Sequence, residues 1–151
     1  MIAKQYPALP DGRHNGILAD VIDLGESLLD FGWEKRKVHR CLFVWLILDE
    51  RCIQTRRPYR ASLRMNVSLH PESTMYNAIR LITGTPPRID APFDLDVLIG
   101  RSNELVTKQK QLDDGRLAAT VLALGPAIKV FPRVPSWFRR SEDRQRIRSA
   151  A

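Results

Sequence analysis

Cysteine is scarce in this chain: Cys41 and Cys52 are the only two among 151 residues. Cys41 sits inside an apolar run and Cys52 just after a turn, and with no export signal both are expected to be reduced. No CxxC or HxxxH spacing accompanies them, so nothing marks a zinc site. His39 and Cys41 lie two apart on one strand face, while His14, His70 and Cys52 are scattered. A buried thiol and an ordinary strand histidine account for that pair, and no metal or other cofactor is expected. Long apolar runs are lacking too. No stretch approaches the roughly 18 apolar residues needed to span a bilayer. The opening MIAKQYPALPDG has no apolar core and is interrupted by Pro7 and Pro10, unlike a secretory signal. A cytoplasmic protein with no membrane partner is expected. Catalytic signatures are missing as well: there is no P-loop, GxSxG or HExxH. A nuclease would need clustered carboxylates for Mg²⁺. Here Asp20 and Asp23 differ in strand parity, Asp94 and Asp96 sit at a helical turn, and Asp113-Asp114 belongs to a hairpin turn. Caps and turns are the common homes of Asp. The chain is not expected to be an enzyme.

Negative charge is the last shortage. Against 24 Lys and Arg stand 17 Asp and Glu, giving a net charge of +7 and a pI near 9.9. Such a surplus favours polyanions, most often nucleic acid and sometimes an anionic membrane. At 44% hydrophobic and 27% charged residues the rest of the composition is ordinary for a globular protein. A length of 151 residues suits one domain with a real core.

Periodicity then orders the chain. Residues 1–13 form an irregular lead-in ending at Asp11-Gly12. A first strand is expected over 14–24 (HNGILADVIDL), β-branched at Ile17, Val21 and Ile22, with Gly25 suited to a bulge or strand end. Residues 26–34 read as a connecting loop holding Phe31 and Trp33. The second strand, 37–48, puts Val38, Arg40, Leu42, Val44 and Leu46 on one face and His39, Cys41, Phe43, Trp45 and Ile47 on the other. Its near-continuous hydrophobicity marks a central strand, or one with its outer face partly covered. Trp45 shares the parity of Phe43 and Ile47 and belongs in the core. Leu42, Val44 and Leu46 need a cover, either the N-terminal segment or a second copy in a homodimer.

The third strand, 59–69, alternates cleanly, with Leu63, Met65, Val67 and Leu69 opposite Arg60, Ser62, Arg64, Asn66 and Ser68. Pro71 and Glu72 open a helix whose apolar face is Met75, Ala78, Ile79 and Ile82 and which Gly84 stops. Residues 85–92 carry three prolines and form a loop, and 93–99 make a short helical turn ending at Gly100. Strands over 103–108 and 116–124 flank KQKQLDDG, where Asp114-Gly115 signals a hairpin. Beyond Gly125 the period is lost. A tail bearing Trp137, Phe138, Arg139, Arg140, Arg144, Arg146 and Arg148 is expected to be flexible or a short helix. The chain thus divides into a lead-in (1–13), a domain (14–126) and a basic tail (127–151). Three strands, a helix and two strands is the order of an OB-fold, a mainly β, five-stranded, partly open barrel.

Within that frame YPALPDG precedes strand one, ADVIDLG ends it, and KVHRCLFVWLI forms strand two. VSLHPES stands at the strand-to-helix junction, FDLDVLIG precedes strand four, and GRLAATV opens the last strand. In their order and spacing, across most of residues 6–126, these segments resemble the small OB-fold single-stranded DNA-binding proteins of tailed bacteriophages and prophages. The resemblance implies non-catalytic binding of single-stranded DNA during replication or recombination, beside replication or recombination proteins. The chain departs from that family at Leu42 and Leu46, where polar residues are expected, and at Met65, where an aromatic is common. Its tail is basic where many single-strand binders end in an acidic partner-recruiting tail.

OB-folds bind strands across strands two and three, with the loops joining strands one to two and four to five as clamps. The first clamp would supply Phe31, Trp33, Lys35, Arg36 and Lys37. The sheet would supply Arg40, Arg60 and Arg64, with Arg56, Arg57 and Tyr59 at its edge, and the second clamp Lys108, Lys110 and Arg116. Cations follow phosphates, and aromatic faces stack on unpaired bases. Two rivals stand beside largely sequence-independent binding of single-stranded DNA. One is an OB-like interaction or scaffold module for an acidic partner. The other is a single-stranded RNA binder using the same face.

Overall fold

The parity of the second strand decides where the core lies. In the computed structural model, which describes residues 8–53 and 55–141, Cys41, Phe43, Trp45 and Ile47 are all buried in one cluster. The elements are β1 (Gly12–Asp30), β2 (Lys35–Arg51), β3 (Pro58–Asn66), α1 (Thr74–Thr83), a 3₁₀ turn (Leu95–Leu98), β4 (Ser102–Gln111) and β5 (Leu117–Pro126). The strands close a barrel in the order β1-β2-β3-β5-β4, antiparallel except for the β3–β5 pair. With the helix between its third and fourth strands, this is a five-stranded OB-fold. Among the described residues, no helix is long and apolar enough to cross a membrane.

Cross-strand pairing carries the core from strand to strand. Phe43 lies opposite Leu63, Trp45 opposite Ala61 and Cys41 opposite Met65, so each side chain meets a neighbour on the same face. Helix α1 adds Met75, Ala78, Ile79 and Ile82, the apolar face expected from the sequence. It starts at Thr74 rather than at Pro71 because Ser73 is the N-cap, its Oγ accepting the Tyr76 N–H at 3.1 Å. Gly84, at φ +79°, ends the helix in a left-handed turn. At the other end of the chain Leu9 is buried in the same core, where Gln109 Nε2 donates to the Ala8 and Leu9 carbonyls, each at 3.2 Å. The described part of the lead-in is therefore built into the barrel.

The loop expected over 26–34 is mostly strand. Pairing of β1 with β2 runs out to Asp30 opposite Lys35, although β4 leaves β1 at Ile17 and β3 leaves β2 at Arg40. A two-stranded arm results, about 20 Å long at roughly 3.3 Å per residue. Both of its faces meet water, so no face requires apolar alternation, and the sequence shows none. Leu24 is skipped in the pairing between Asp23 and Gly25, and Gly25 has φ +72°, the bulge its position suggested. The arm turns at Gly32 (φ +88°), with the Phe31 N–H on the Glu34 carbonyl at 2.9 Å.

The tail is the second correction. Over 127–141 it is an irregular strap packed on the barrel, and residues 142–151, with Arg144, Arg146 and Arg148, lie outside the described residues. Phe131 and Phe138 are each 8% exposed and pack against Ile17, Ala19 and Leu46 on the outer face of β1 and β2. The cover over Leu46 is thus the chain's own C-terminal strap. The Phe131 N–H donates to Ser102 Oγ at 2.9 Å. Arg140 Nε lies 3.2 Å from Asp20 Oδ1 and its Nη2 2.9 Å from Asp96 Oδ1, while the Ser141 N–H donates to Asp20 Oδ2 at 2.8 Å.

Candidate nucleic-acid interface

Outward-facing residues of β2 and β3 fall opposite one another as Leu46–Arg60, Val44–Ser62, Leu42–Arg64 and Arg40–Asn66. This surface continues into β5 through the Ser62–Thr120 pair and on to Lys108 of β4, opposite Thr120. A groove of about 1080 Å³ lies along it. Ile22, Leu42, Val44, Ser62 and Ala118 are among its lining, so its floor is largely apolar.

The walls are cationic. Arg51, Arg56, Arg57, Arg60, Arg116 and Arg139 line the groove and are all exposed, and among the described residues no Asp or Glu lines it. The loop between β2 and β3 is a closed structure: the Cys52 N–H donates to the Arg57 carbonyl at 3.0 Å and the Arg56 N–H to the Cys52 carbonyl at 2.7 Å. Arg51 Nη1 braces it through the Arg56 carbonyl at 3.2 Å. Arg56 has φ +57°, a left-handed conformation costly for a residue with a side chain. Among the described residues, no carboxylate pairs with Arg51, Arg56, Arg57 or Arg139. Across the groove Arg116 Nε lies 2.6 Å from Asp114 Oδ2 in the β4–β5 turn. The Arg116 N–H and then its guanidinium hold the Asp114 carboxyl below its ordinary range. Such an exposed pair is weak.

Five of the sequence-predicted site residues, Arg56, Arg57, Tyr59, Arg60 and Arg116, meet in this groove. Tyr59 needs correction as a free stacking residue. It stands opposite Ile47 on the inner face and packs against the core, with only part of its surface on the groove. Arg64 and Arg40 sit on the same outer surface further along the sheet. Lys108 and Lys110 project from β4, the latter opposite groove-lining Ala118.

Phe31, Trp33, Lys35, Arg36 and Lys37 stand apart at the far end of the arm, roughly 23 Å along β2 from Leu42 at 3.3 Å per residue. Trp33 is 82% exposed, its ring centroid 6.0 Å from that of Phe31, over which the Arg36 guanidinium lies at 5.7 Å. Trp33 therefore does not cap the core. Alternation sends Arg36 to the face it shares with Arg40, and Lys35 and Lys37 to the opposite one.

Three groove residues escaped the sequence reading: Arg51, Trp137 and Arg139. Arg51 ends a strand expected to stop at Leu48, and the other two lie in the strap. Their one signal was an apolar outer face on β2 with two phenylalanines downstream to cover it.

The other chemistry-bearing side chains have structural partners. His14 is buried, its Nε2 2.7 Å from the Pro10 carbonyl and its Nδ1 2.5 Å from Glu50 Oε2. His39 Nε2 and the Gly25 N–H bind Asp23 Oδ1 at 2.6 and 2.7 Å, holding the Asp23 carboxyl below its ordinary range. Burial, assisted by Asp23, pushes the Cys41 thiol up to about 11. Asp94 caps the 3₁₀ turn and Asp114 the β4–β5 turn. Both cysteines are buried thiols outside any disulfide among the described residues, where no group of three or more His, Cys, Asp and Glu could hold a metal. No protein-family model matches the chain, and no curated protein or solved structure matches it significantly.

Proposed function

We propose that this OB-fold chain binds single-stranded nucleic acid without catalysis, and that single-stranded DNA is its ligand. The observation that carries the reading is the groove across β2, β3 and β5, which among the described residues is walled by six arginines, lined by no acid and floored with apolar side chains. Arginines suit phosphates, which they meet with planar, charge-assisted hydrogen bonds. An apolar floor suits unpaired bases, whose faces a duplex keeps stacked away. Arg64, Arg40 and the arm extend the cationic surface beyond the groove, giving a strand somewhere to continue. Largely sequence-independent binding follows, because phosphates and base faces are common to every sequence. Work in DNA replication or recombination, in the cytoplasm of a host cell, would use that property.

Phe131 and Phe138 cover the outer face of β2 around Leu46, while Leu42 and Val44 stay on the groove floor, an apolar surface that a protein-docking module would also use. The test is fluorescence anisotropy of a labelled 30-mer, single- or double-stranded, at low and moderate salt. Tighter binding to the single strand, weakened by salt, is the expected result. Equal affinity for both would reduce the site to nonspecific charge. Binding of a polyglutamate chain but of neither oligonucleotide would favour an acidic protein partner.

A further inference from the structure

The strap covers the sheet with Phe131 and Phe138, which are nearly buried, yet Trp137 beside them is 52% exposed. A side chain needed only as cover would face the barrel, and this one lines the arginine groove together with Arg139. Its ring meets that of Phe138 in a T-shaped contact, with centroids 6.4 Å apart and planes at 69°, and half of the side chain stays exposed. Phe138 in turn lies beneath the Arg60 guanidinium, 5.3 Å from ring centroid to the guanidinium carbon. One segment thus places a half-exposed indole, fixes one groove arginine and supplies another.

The strap's hold on the barrel is electrostatic as well as apolar. Asp20 is 1% exposed, and its carboxylate accepts from Arg140 and the Ser141 N–H, the two residues that follow Arg139. Arg140 also reaches Asp96, and the Asp96 hydrogen bond and then that to Asp20 hold its guanidinium further into the charged form. A buried carboxylate without its cation is costly, so the latch fixes the register of residues 137–139 against the groove. Residues 127–141 contain four cations and no acid, which fits a segment lying beside phosphates.

We infer that the C-terminal strap is part of the binding site: Trp137 stacks on a base of the bound single strand, and Arg140, latched to Asp20, is the positioning residue that holds it there. This rests on the groove being the single-strand site. In a Trp33→Phe background the chain keeps only Trp45, which is buried, and Trp137. Titration with a 20-mer of thymidylate should quench the Trp137 emission, and the further change Trp137→Phe should remove the quench. Trp137→Ala should weaken binding roughly tenfold, within the range for loss of one base stack, with an unchanged melting temperature. Arg140→Gln should reduce both quench and affinity, and Arg140→Lys should restore part of each. Full affinity in Trp137→Ala, together with no quench of Trp137 in the Trp33→Phe protein, would overturn the strap's role and leave the groove reading intact. A parent protein that binds no oligonucleotide would overturn both.

Discussion

Arg140 Nε stands 3.2 Å from the Asp20 carboxylate, an ion pair that joins residues 120 positions apart and shuts a nearly buried acid against the strap. Among the described residues, Arg140→Ala leaves Asp20 with the Ser141 N–H alone. The expected loss is about 2–4 kcal/mol in urea unfolding, below the full cost of a wholly buried pair because Arg140 keeps some water. Asp20→Asn with Arg140→Gln replaces the charges by a neutral pair and should recover part of it. Equal stability of Arg140→Ala and the parent would mean that the strap is held by its phenylalanines only.

Gly16 is a packing glycine. A Cβ there would lie 2.8 Å from Leu105 Cδ1 and 3.2 Å from Trp45 Cβ and Ile47 Cδ1. Gly16→Val should cost about 1–3 kcal/mol through overpacking, and Gly16→Ala less, because the nearest atom is the end of a flexible side chain. Thermal melts of both variants check the order.

Cys41 offers a pH test. Its thiol is raised from 9.0 to about 11 by burial and the Asp23 charge, so the folded state holds this proton more tightly than the unfolded one. The contribution to stability is complete below pH 9 and is lost as the pH climbs from about 9 to 11. Cys41→Ser should flatten that decline. Maleimide labelling at pH 8 should be slow in the native protein and fast in urea.

Trp33→Ala should leave stability within about 0.5 kcal/mol of the parent, since the side chain is 82% exposed. Its effect should fall on single-strand affinity, by roughly fivefold or more. A destabilised variant with intact binding would assign Trp33 to the fold.

The barrel was legible wherever a face had to be buried. Alternation placed Phe43 and Trp45 inside, the 3.6-residue period placed Met75, Ala78, Ile79 and Ile82 on the helix's inner face, and Asp114-Gly115 marked the hairpin. The arm was not legible, because Ser27, Leu28 and Leu29 lie in a ribbon open on both sides and follow no period. The strap failed for a related reason: it is anchored at isolated points, Phe131, Phe138 and Arg140, with no repeating ladder to leave a pattern. Of the candidate site, the cations at the β3 edge and the last turn converge, while Lys35, Arg36 and Lys37 go out with the arm. That separation was invisible as long as 26–34 read as a loop.

The most direct test of the central claim is the salt dependence of single-strand binding in Arg56→Ala/Arg57→Ala/Arg60→Ala/Arg116→Ala. Each phosphate contact on a single strand contributes about 0.7 to the slope of log K against log salt. If the four arginines hold phosphates, the slope should shrink by roughly 3, with a large loss of affinity at low salt and an unchanged circular dichroism spectrum. A folded quadruple variant with the parent's slope and affinity would contradict the groove as the binding site.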